Sequence, residues 1–188
     1  MKTLVCFGDS ITADETFFDG TPRLTPRLQE MFPNWKVVNA GVPGDNTFDA
    51  LNRIEDDVLS YKPDFITVFL GTNDAVSFAQ VPLQAYKENL EKIVSAISSE
   101  KVLLISPAPV DEERQRNRTN EVLGQYAAAV EEVARKTGGH FLNLYAEMIQ
   151  EENYKIFVED EEKDGLHFGA EGYAYLAKLI CEKLKGIL

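Results

Sequence analysis

Cysteine and histidine are scarce in this chain, with two of each among 188 residues. Two cysteines, Cys6 in an apolar run and Cys181 in a helical pattern, are too few for a disulfide framework and suit a reducing compartment. No apolar run approaches the roughly 18 residues of a membrane span. The short apolar run after Met1-Lys2-Thr3 also lacks the length of a secretory signal. We therefore expect a cytoplasmic protein without a membrane span.

Basic residues are also in short supply. Nineteen lysines and arginines face thirty-one acidic residues, and the formal net charge is -12. Such a surface repels phosphate backbones and anionic bilayers, which argues against a nucleic-acid partner. The length and a hydrophobic content of 44% fit one globular domain over residues 1–188. Nothing in the sequence specifies an oligomeric state.

Short apolar runs alternate with longer amphipathic stretches, and this alternation predicts the α/β class. We expect a three-layer α/β/α sandwich around a five-stranded parallel sheet in the flavodoxin-like order 2-1-3-4-5. The predicted strands are Thr3 to Gly8, Lys36 to Ala40, Phe65 to Leu70, Lys101 to Ser106 and His140 to Leu144. The predicted helices run from Thr21-Pro22 toward Met31, from Thr47 to about Ser60, from Pro82 or Leu83 to Ser98, from Asn117 to Lys136 and from Gly169 to Leu184.

A serine and a histidine lie at opposite ends of the chain with the residue types that acyl transfer requires. Gly8-Asp9-Ser10 follows the first predicted strand directly, and Asp164 precedes His167 by three residues. A serine becomes a nucleophile when a histidine removes its proton, and a carboxylate orients that histidine. His140 begins a strand and has no acidic neighbour, so we assign it a structural role. These residues predict a serine-dependent ester hydrolase.

Two further segments fall at predicted strand ends, namely Pro43-Gly44-Asp45 and Gly71-Thr72-Asn73-Asp74. Ligands of open α/β sheets bind outside the carboxyl ends of the strands. Taken singly, each segment also fits ordinary turn chemistry, and Asn73 fits a helix cap. Their common position at strand ends favours a shared site.

Together these segments resemble the sequence blocks of the SGNH hydrolases, the GDSL esterase/lipase family. The resemblance implies that Ser10 is the nucleophile, His167 the general base and Asp164 its orienting carboxylate. It also implies an oxyanion hole built from the backbone N–H groups of Ser10 and Gly44 and the side-chain amide of Asn73. Gly44 is preferred over Gly41 because the Asp45 that follows matches the family's Gly-Asp pair. No metal or cofactor is required, and the partner is a small-molecule ester.

The substrate is not specified by these blocks. A compact domain without an obvious lid favours small or short-chain esters, while thioesters, lysophospholipids and carbohydrate acetates stay open within the family. Eight apolar residues near the predicted crevice are candidates for an acyl pocket or for ordinary packing: Phe17, Phe18, Val76, Phe78, Pro107, Pro109, Val110 and Phe168. A flavodoxin-like ligand-binding domain is the non-enzymatic alternative, since Ser10, Thr12 and Thr16 form a hydroxyl-rich loop.

Overall fold

The computed structural model describes residues 1–188, and its centre is one parallel sheet in the order β2-β1-β3-β4-β5. The strands are β1 (Lys2–Gly8), β2 (Trp35–Gly41), β3 (Phe65–Phe69), β4 (Val102–Ile105) and β5 (His140–Leu142). The helices are α1 (Leu24–Met31), α2 (Thr47–Asp57), α3 (Leu83–Ile97), α4 (Asn120–Thr137), α5 (Leu144–Ile149) and α6 (Ala170–Lys185). The predicted fold class and strand order are confirmed. None of the helices combines the length and apolarity needed to cross a bilayer.

Both faces of the sheet are buried because successive side chains of a strand point to opposite sides. In β1, Val5 and Phe7 pack into a core shared with α2, α3 and α4. Leu4 and Cys6 enter a second core shared with α1, α5 and α6. This division produces the three layers, and it explains why the strands read as continuous apolar runs.

The first predicted helix begins later than expected. Thr21 and Pro22 precede α1, because Pro22 pairs with Thr16 in an isolated antiparallel bridge. The backbone N–H of Phe17 donates to the Thr21 carbonyl over 2.9 Å, which closes the segment as a small hairpin. The proposed Thr-Pro helix start was wrong, since these tertiary hydrogen bonds compete with the local capping pattern.

Other boundaries shift for local reasons. Helix α2 ends at Asp57 and is followed by a short 3₁₀ turn, Leu59–Tyr61. Helix α4 begins after Thr119, whose hydroxyl accepts from the Val122 N–H over 3.3 Å. Strand β5 stops at Leu142 because Asn143 caps the unpredicted helix α5, its side-chain oxygen accepting from the Ala146 N–H over 3.0 Å. Helix α6 starts after Gly169 as expected.

Candidate active site

The segments singled out in the sequence meet at the carboxyl edge of the sheet. Strands β2, β1 and β3 are neighbours, so the loops that follow them lie side by side. The loop before α6 completes the site, since Tyr173 of that helix donates from its hydroxyl to the Ile11 carbonyl over 2.9 Å. One hydrogen bond thus joins the serine loop to the histidine end of the chain.

Ser10, His167 and Asp164 form a continuous hydrogen-bonded chain. The Ser10 hydroxyl oxygen lies 2.9 Å from Nε2 of His167, although 157 residues separate them in sequence. Nδ1 of His167 lies 2.7 Å from Oδ2 of Asp164. A hydroxyl, an imidazole and a carboxylate in this order make a serine nucleophilic, because the imidazole accepts the proton while the carboxylate stabilises the imidazolium.

Asp164 is held as a carboxylate by its own loop. Its Oδ1 accepts hydrogen bonds from the backbone N–H groups of Leu166 (2.8 Å) and His167 (3.0 Å). Burial alone raises the pKa of Asp164, but these N–H donors and the imidazole outweigh burial and lower the pKa below 3.8. Asp164 therefore stays ionised and orients the ring through its second oxygen.

The loop carrying Ser10 is braced from both sides. The Asp9 carboxyl accepts from the Ile11 N–H over 3.0 Å, closing the turn after β1. Arg23, just before α1, donates from Nη2 to the Ser10 carbonyl over 3.1 Å and from Nε to the Tyr173 hydroxyl over 2.8 Å. This bracing leaves the Ser10 side chain free to face His167.

Gly41 and Gly44 occupy different environments within the same loop. A Cβ on Gly41 would lie under 3.0 Å from backbone atoms of Thr12 and Ala13, so Gly41 allows the loops after β1 and β2 to pack closely. A Cβ on Gly44 would meet nothing within 4 Å, but the residue has φ +86°, which favours glycine. Gly41 is therefore needed for close packing of the two loops, whereas Gly44 is needed for the backbone conformation of an exposed turn.

Three N–H donors of the predicted site are available for a ligand. The backbone N–H groups of Ser10 and Gly44 donate to no other protein group. The Asn73 amide donates one hydrogen to the Asp45 carbonyl over 2.9 Å, and its second hydrogen has no protein partner. Neutral donors of this kind stabilise a developing oxyanion when they converge on it.

Besides Arg23, two further arginines at this edge were missed by the sequence analysis. Arg53 of α2 donates to the Gly8 carbonyl and the Ala40 carbonyl, each over 2.9 Å, and to the Asp45 carboxylate over 2.5 Å. It thereby ties the ends of β1 and β2 together. Arg118 donates to Thr72 and Asn73 in the loop after β3. Nothing in the local sequence marks Arg118, because its partners lie 46 and 45 positions away, whereas Arg53 has a local partner in Asp57 but reaches Gly8 from 45 positions away.

Two buried carboxyl groups lie beneath the site. Burial raises the pKa of Asp9 from 3.8 to about 7, against the opposing effects of the Ile11 N–H, His167 and Arg118. Burial also raises the pKa of Asp74 to about 6, although Asp74 accepts from the Thr47 N–H (3.0 Å) and hydroxyl (2.6 Å). Asp74 thus joins the loop after β3 to the start of α2.

A shallow pocket of about 350 Å³ opens beside Ser10 and His167. Its remaining lining residues are Asp14, Thr16, Phe17, Phe18, Arg23, Pro43, Asp160, Glu161 and Glu162. Only Phe17 and Phe18 of the eight apolar candidates line it. Phe78 is 77% exposed outside it, and the other five are buried. The pocket is therefore small, open and largely polar, with four carboxylates and one guanidinium.

Asp160 and Glu162 approach His167 closely enough to suggest a cation site, with their nearest ligand atoms within 4.8 Å of one another. Both imidazole nitrogens are already hydrogen bonded, to Ser10 and to Asp164. A metal ion needs a free nitrogen lone pair from a histidine ligand. In this arrangement His167 serves the serine rather than a metal.

The fold of this chain is shared with a family of ester hydrolases. Residues 6–175 match the GDSL-like Lipase/Acylhydrolase family, and the chain belongs to that family. The resemblance seen in the sequence blocks is confirmed, as is the expectation of an enzyme acting on ester bonds.

Relatives and solved structures agree with this assignment. The chain is 32% identical to a GDSL esterase/lipase of Arabidopsis thaliana, covering 98% of this chain and 86% of the relative. It is 32% identical to the isoamyl acetate-hydrolyzing esterase 1 homolog of Homo sapiens, covering 92% and 77%. The crystal structure of a lipase/acylhydrolase from Enterococcus faecalis superposes with a TM-score of 0.91 at 34% identity, covering 99% and 96%.

The two loop glycines provide a matched pair of stability predictions. Gly41→Ala forces a Cβ against the backbone after β1, so we expect a loss of about 1–3 kcal/mol in the free energy of unfolding. In Gly44→Ala the new Cβ meets no other atom, so only the positive φ is unfavourable, and we expect a loss of about 1–2 kcal/mol in the free energy of unfolding. Urea denaturation measures both. A Gly41→Ala variant as stable as wild type would contradict the packing role.

The buried Asp9 predicts a pH-dependent stability. The pKa of Asp9 is about 7 in the folded protein and 3.8 in the unfolded chain. The contribution of Asp9 to the free energy of unfolding is therefore fully present below pH 3.8 and is lost as the pH rises through about 7. This pKa difference limits the loss to about 4 kcal/mol. Asp9→Asn keeps an oxygen for the Ile11 N–H and removes the titration. We expect the variant to gain stability relative to wild type between pH 5 and pH 8.

Urea denaturation of both proteins at several pH values measures that difference. Asp19→Asn is the surface control, because hydrogen bonding to Thr21 lowers the pKa of Asp19 and gives the opposite sign. If wild type and Asp9→Asn change in parallel with pH, the assignment of a raised pKa to Asp9 is wrong.

Proposed function

We propose that this protein is a serine esterase that hydrolyses carboxylic esters of small or short-chain substrates through an acyl-enzyme on Ser10. The observation that carries the proposal is the hydrogen-bonded chain from Ser10 through His167 to Asp164, at 2.9 and 2.7 Å. The flavodoxin-like alternative assigns no function to these hydrogen-bonded side chains. It also requires a phosphate beside Asp14, whose carboxylate repels it.

In the first half-reaction, His167 Nε2 accepts the Ser10 proton while the hydroxyl oxygen attacks the ester carbonyl carbon. The carbonyl π electrons move to oxygen, and Asp164 stabilises the imidazolium. The tetrahedral intermediate collapses, the ester C–O bond breaks, and His167 returns the proton to the departing alcohol. Water then attacks the acyl-Ser10 in the same way, and the carboxylic acid leaves as Ser10 regains its proton.

The oxyanion is stabilised by the N–H groups of Ser10 and Gly44 and by the Asn73 amide. Each is neutral, so the hole does not titrate. Removing one such donor costs about 3 kcal/mol of transition-state stabilisation in a well-studied protease. Asn73 is the donor that mutagenesis reaches directly, since the other two belong to the backbone.

Substrate size follows from the pocket. A volume of about 350 Å³ with only Phe17 and Phe18 as aromatic lining supports a short acyl group better than a long alkyl chain. The name of the human relative, an isoamyl acetate-hydrolyzing esterase homolog, describes a small acetate ester. Thioesters, lysophospholipids and carbohydrate acetates share the mechanism and are the alternative substrates.

A panel of p-nitrophenyl esters of increasing acyl length tests the substrate class. We expect kcat/KM to be highest for the acetate and butyrate esters and to fall for long chains, because the open pocket has little apolar surface to bury them. Acetyl thioesters, acetylated xylo-oligosaccharides and a lysophospholipid are assayed in parallel. A maximum at long acyl chains would contradict the short-chain proposal.

Ser10→Ala tests the nucleophile. We expect loss of hydrolysis by at least about 10³-fold, with the unfolding midpoint unchanged because Ser10 is half-buried beyond the end of β1 and lies outside both cores. A fluorophosphonate probe followed by peptide mapping measures activation independently, and the adduct is expected on Ser10 in wild type only. Near-wild-type turnover in the variant would remove the central claim.

The two histidines form a matched pair for the general base. His167→Ala is expected to abolish hydrolysis and probe labelling. His140 lies on β5 with its ring 5.9 Å from that of Phe65, so His140→Ala is expected to keep both. Ester hydrolysis and probe labelling are measured on both variants beside wild type. Equal activity losses in the two variants would indicate a general folding defect rather than a specific base.

A further inference from the structure

Arg118 lies in the loop before α4 and reaches the loop after β3 with two hydrogen bonds. Its Nε donates to the Thr72 carbonyl over 2.6 Å, and its Nη2 donates to the Asn73 side-chain oxygen over 2.9 Å. The residue is half-buried. A single guanidinium thus holds both the backbone and the side chain of the asparagine segment.

The partners of Arg118 are neutral oxygens rather than carboxylates. Arg23, Arg53 and Arg114 each pair with a carboxylate within 4.0 Å, whereas Arg118 forms no such ion pair. Its donors are spent on two neutral oxygens of one loop.

The side-chain amide of Asn73 has a donor end and an acceptor end, which have opposite effects on an oxyanion. Turned one way it offers an N–H to a ligand, and turned the other way it offers an oxygen that repels an oxyanion. Arg118 can only donate and therefore selects the Asn73 oxygen. The Asp45 carbonyl can only accept, and it takes one amide hydrogen. The two contacts together leave the second amide hydrogen for the ligand.

We propose that Arg118 is a positioning residue for ester hydrolysis, locking the Asn73 amide with its N–H toward the oxyanion and polarising it as a donor. This role rests on the proposed esterase function. A cation on the amide oxygen withdraws electron density from the nitrogen, which strengthens the remaining N–H as a hydrogen-bond donor. Arg118 thereby acts on the transition state through Asn73 and does not touch the substrate.

The surrounding charges suit this role. Burial lowers the pKa of Arg118 from 12.5, while the charges of Asp9 and Asp164 oppose that change. The guanidinium therefore stays protonated over the whole working range of a histidine base. The Asp164 carboxylate compensates its charge from a distance and leaves its hydrogen bonds to the loop.

A double-mutant cycle with Arg118→Met and Asn73→Ala tests the proposal on p-nitrophenyl acetate. We expect Arg118→Met to lower kcat by about 10- to 100-fold with KM within about threefold, and Asn73→Ala to lower kcat by about 10²–10³-fold. If Arg118 acts through Asn73, adding Arg118→Met to Asn73→Ala lowers kcat by less than about threefold more. Arg118→Lys is expected to recover part of the activity, since an ammonium reaches one acceptor but not both.

Arg27→Met is the control, because Arg27 likewise donates to neutral oxygens, the backbone carbonyls of Pro22 and Ala170, but contacts no residue of the asparagine segment. Its kcat is expected to equal that of wild type, and thermal unfolding is followed for every variant. If Arg118→Met does not fold, the cycle is run with Arg118→Lys. Near-wild-type kcat in the Arg118 variants, or fully multiplicative losses in the double mutant, would overturn the proposal while leaving the esterase function intact. Absence of ester hydrolysis by wild type would overturn both.

Discussion

Lateral hydrogen bonding between parallel strands is the constraint on which this site depends. Because the strands run in one direction, every loop that follows a strand emerges at the same edge, and the order β2-β1-β3 makes three such loops neighbours. This strand order brings the loops of Ser10, Gly44 and Asn73 to the same edge. His167 is brought to the site in a different way. It lies in the loop before α6, which packs on one face of the sheet, and the Tyr173 hydroxyl of α6 donates to the Ile11 carbonyl.

Positively charged residues are scarce in this protein, and three of its arginines hold loops of the site in place. Arg53 connects the ends of β1 and β2, Arg23 supports the Ser10 carbonyl, and Arg118 holds the loop after β3. In each case a guanidinium donates to a main-chain carbonyl at or just beyond the end of a strand. Its rigid fork suits this task, since one side chain reaches acceptors in different directions. The loops are thereby ordered without regular secondary structure of their own.

The site also separates charged from neutral groups. The donors available to an oxyanion are backbone and amide N–H groups, whereas the carboxylates of Asp160 and Glu162 stand at the rim beside His167. Beneath them, Asp9 is buried and holds its proton up to about pH 7. A preorganised neutral hole needs no counterion and little solvent rearrangement as charge develops, which is how such holes accelerate acyl transfer.

Strand positions and the fold class were readable in the sequence, because strands buried on two faces leave continuous apolar runs. The segments that carry Ser10, Asp164 and His167 were marked by their residue types and by the family resemblance. Local patterns failed where distant groups compete. Pro22 forms a bridge instead of opening α1, and Leu144 begins a helix instead of ending β5. The separate roles of Gly41 and Gly44, and the contacts made by Arg53 and Arg118, depend on atoms contributed by other loops. A single position carries no record of such partners, so only the folded chain decides them.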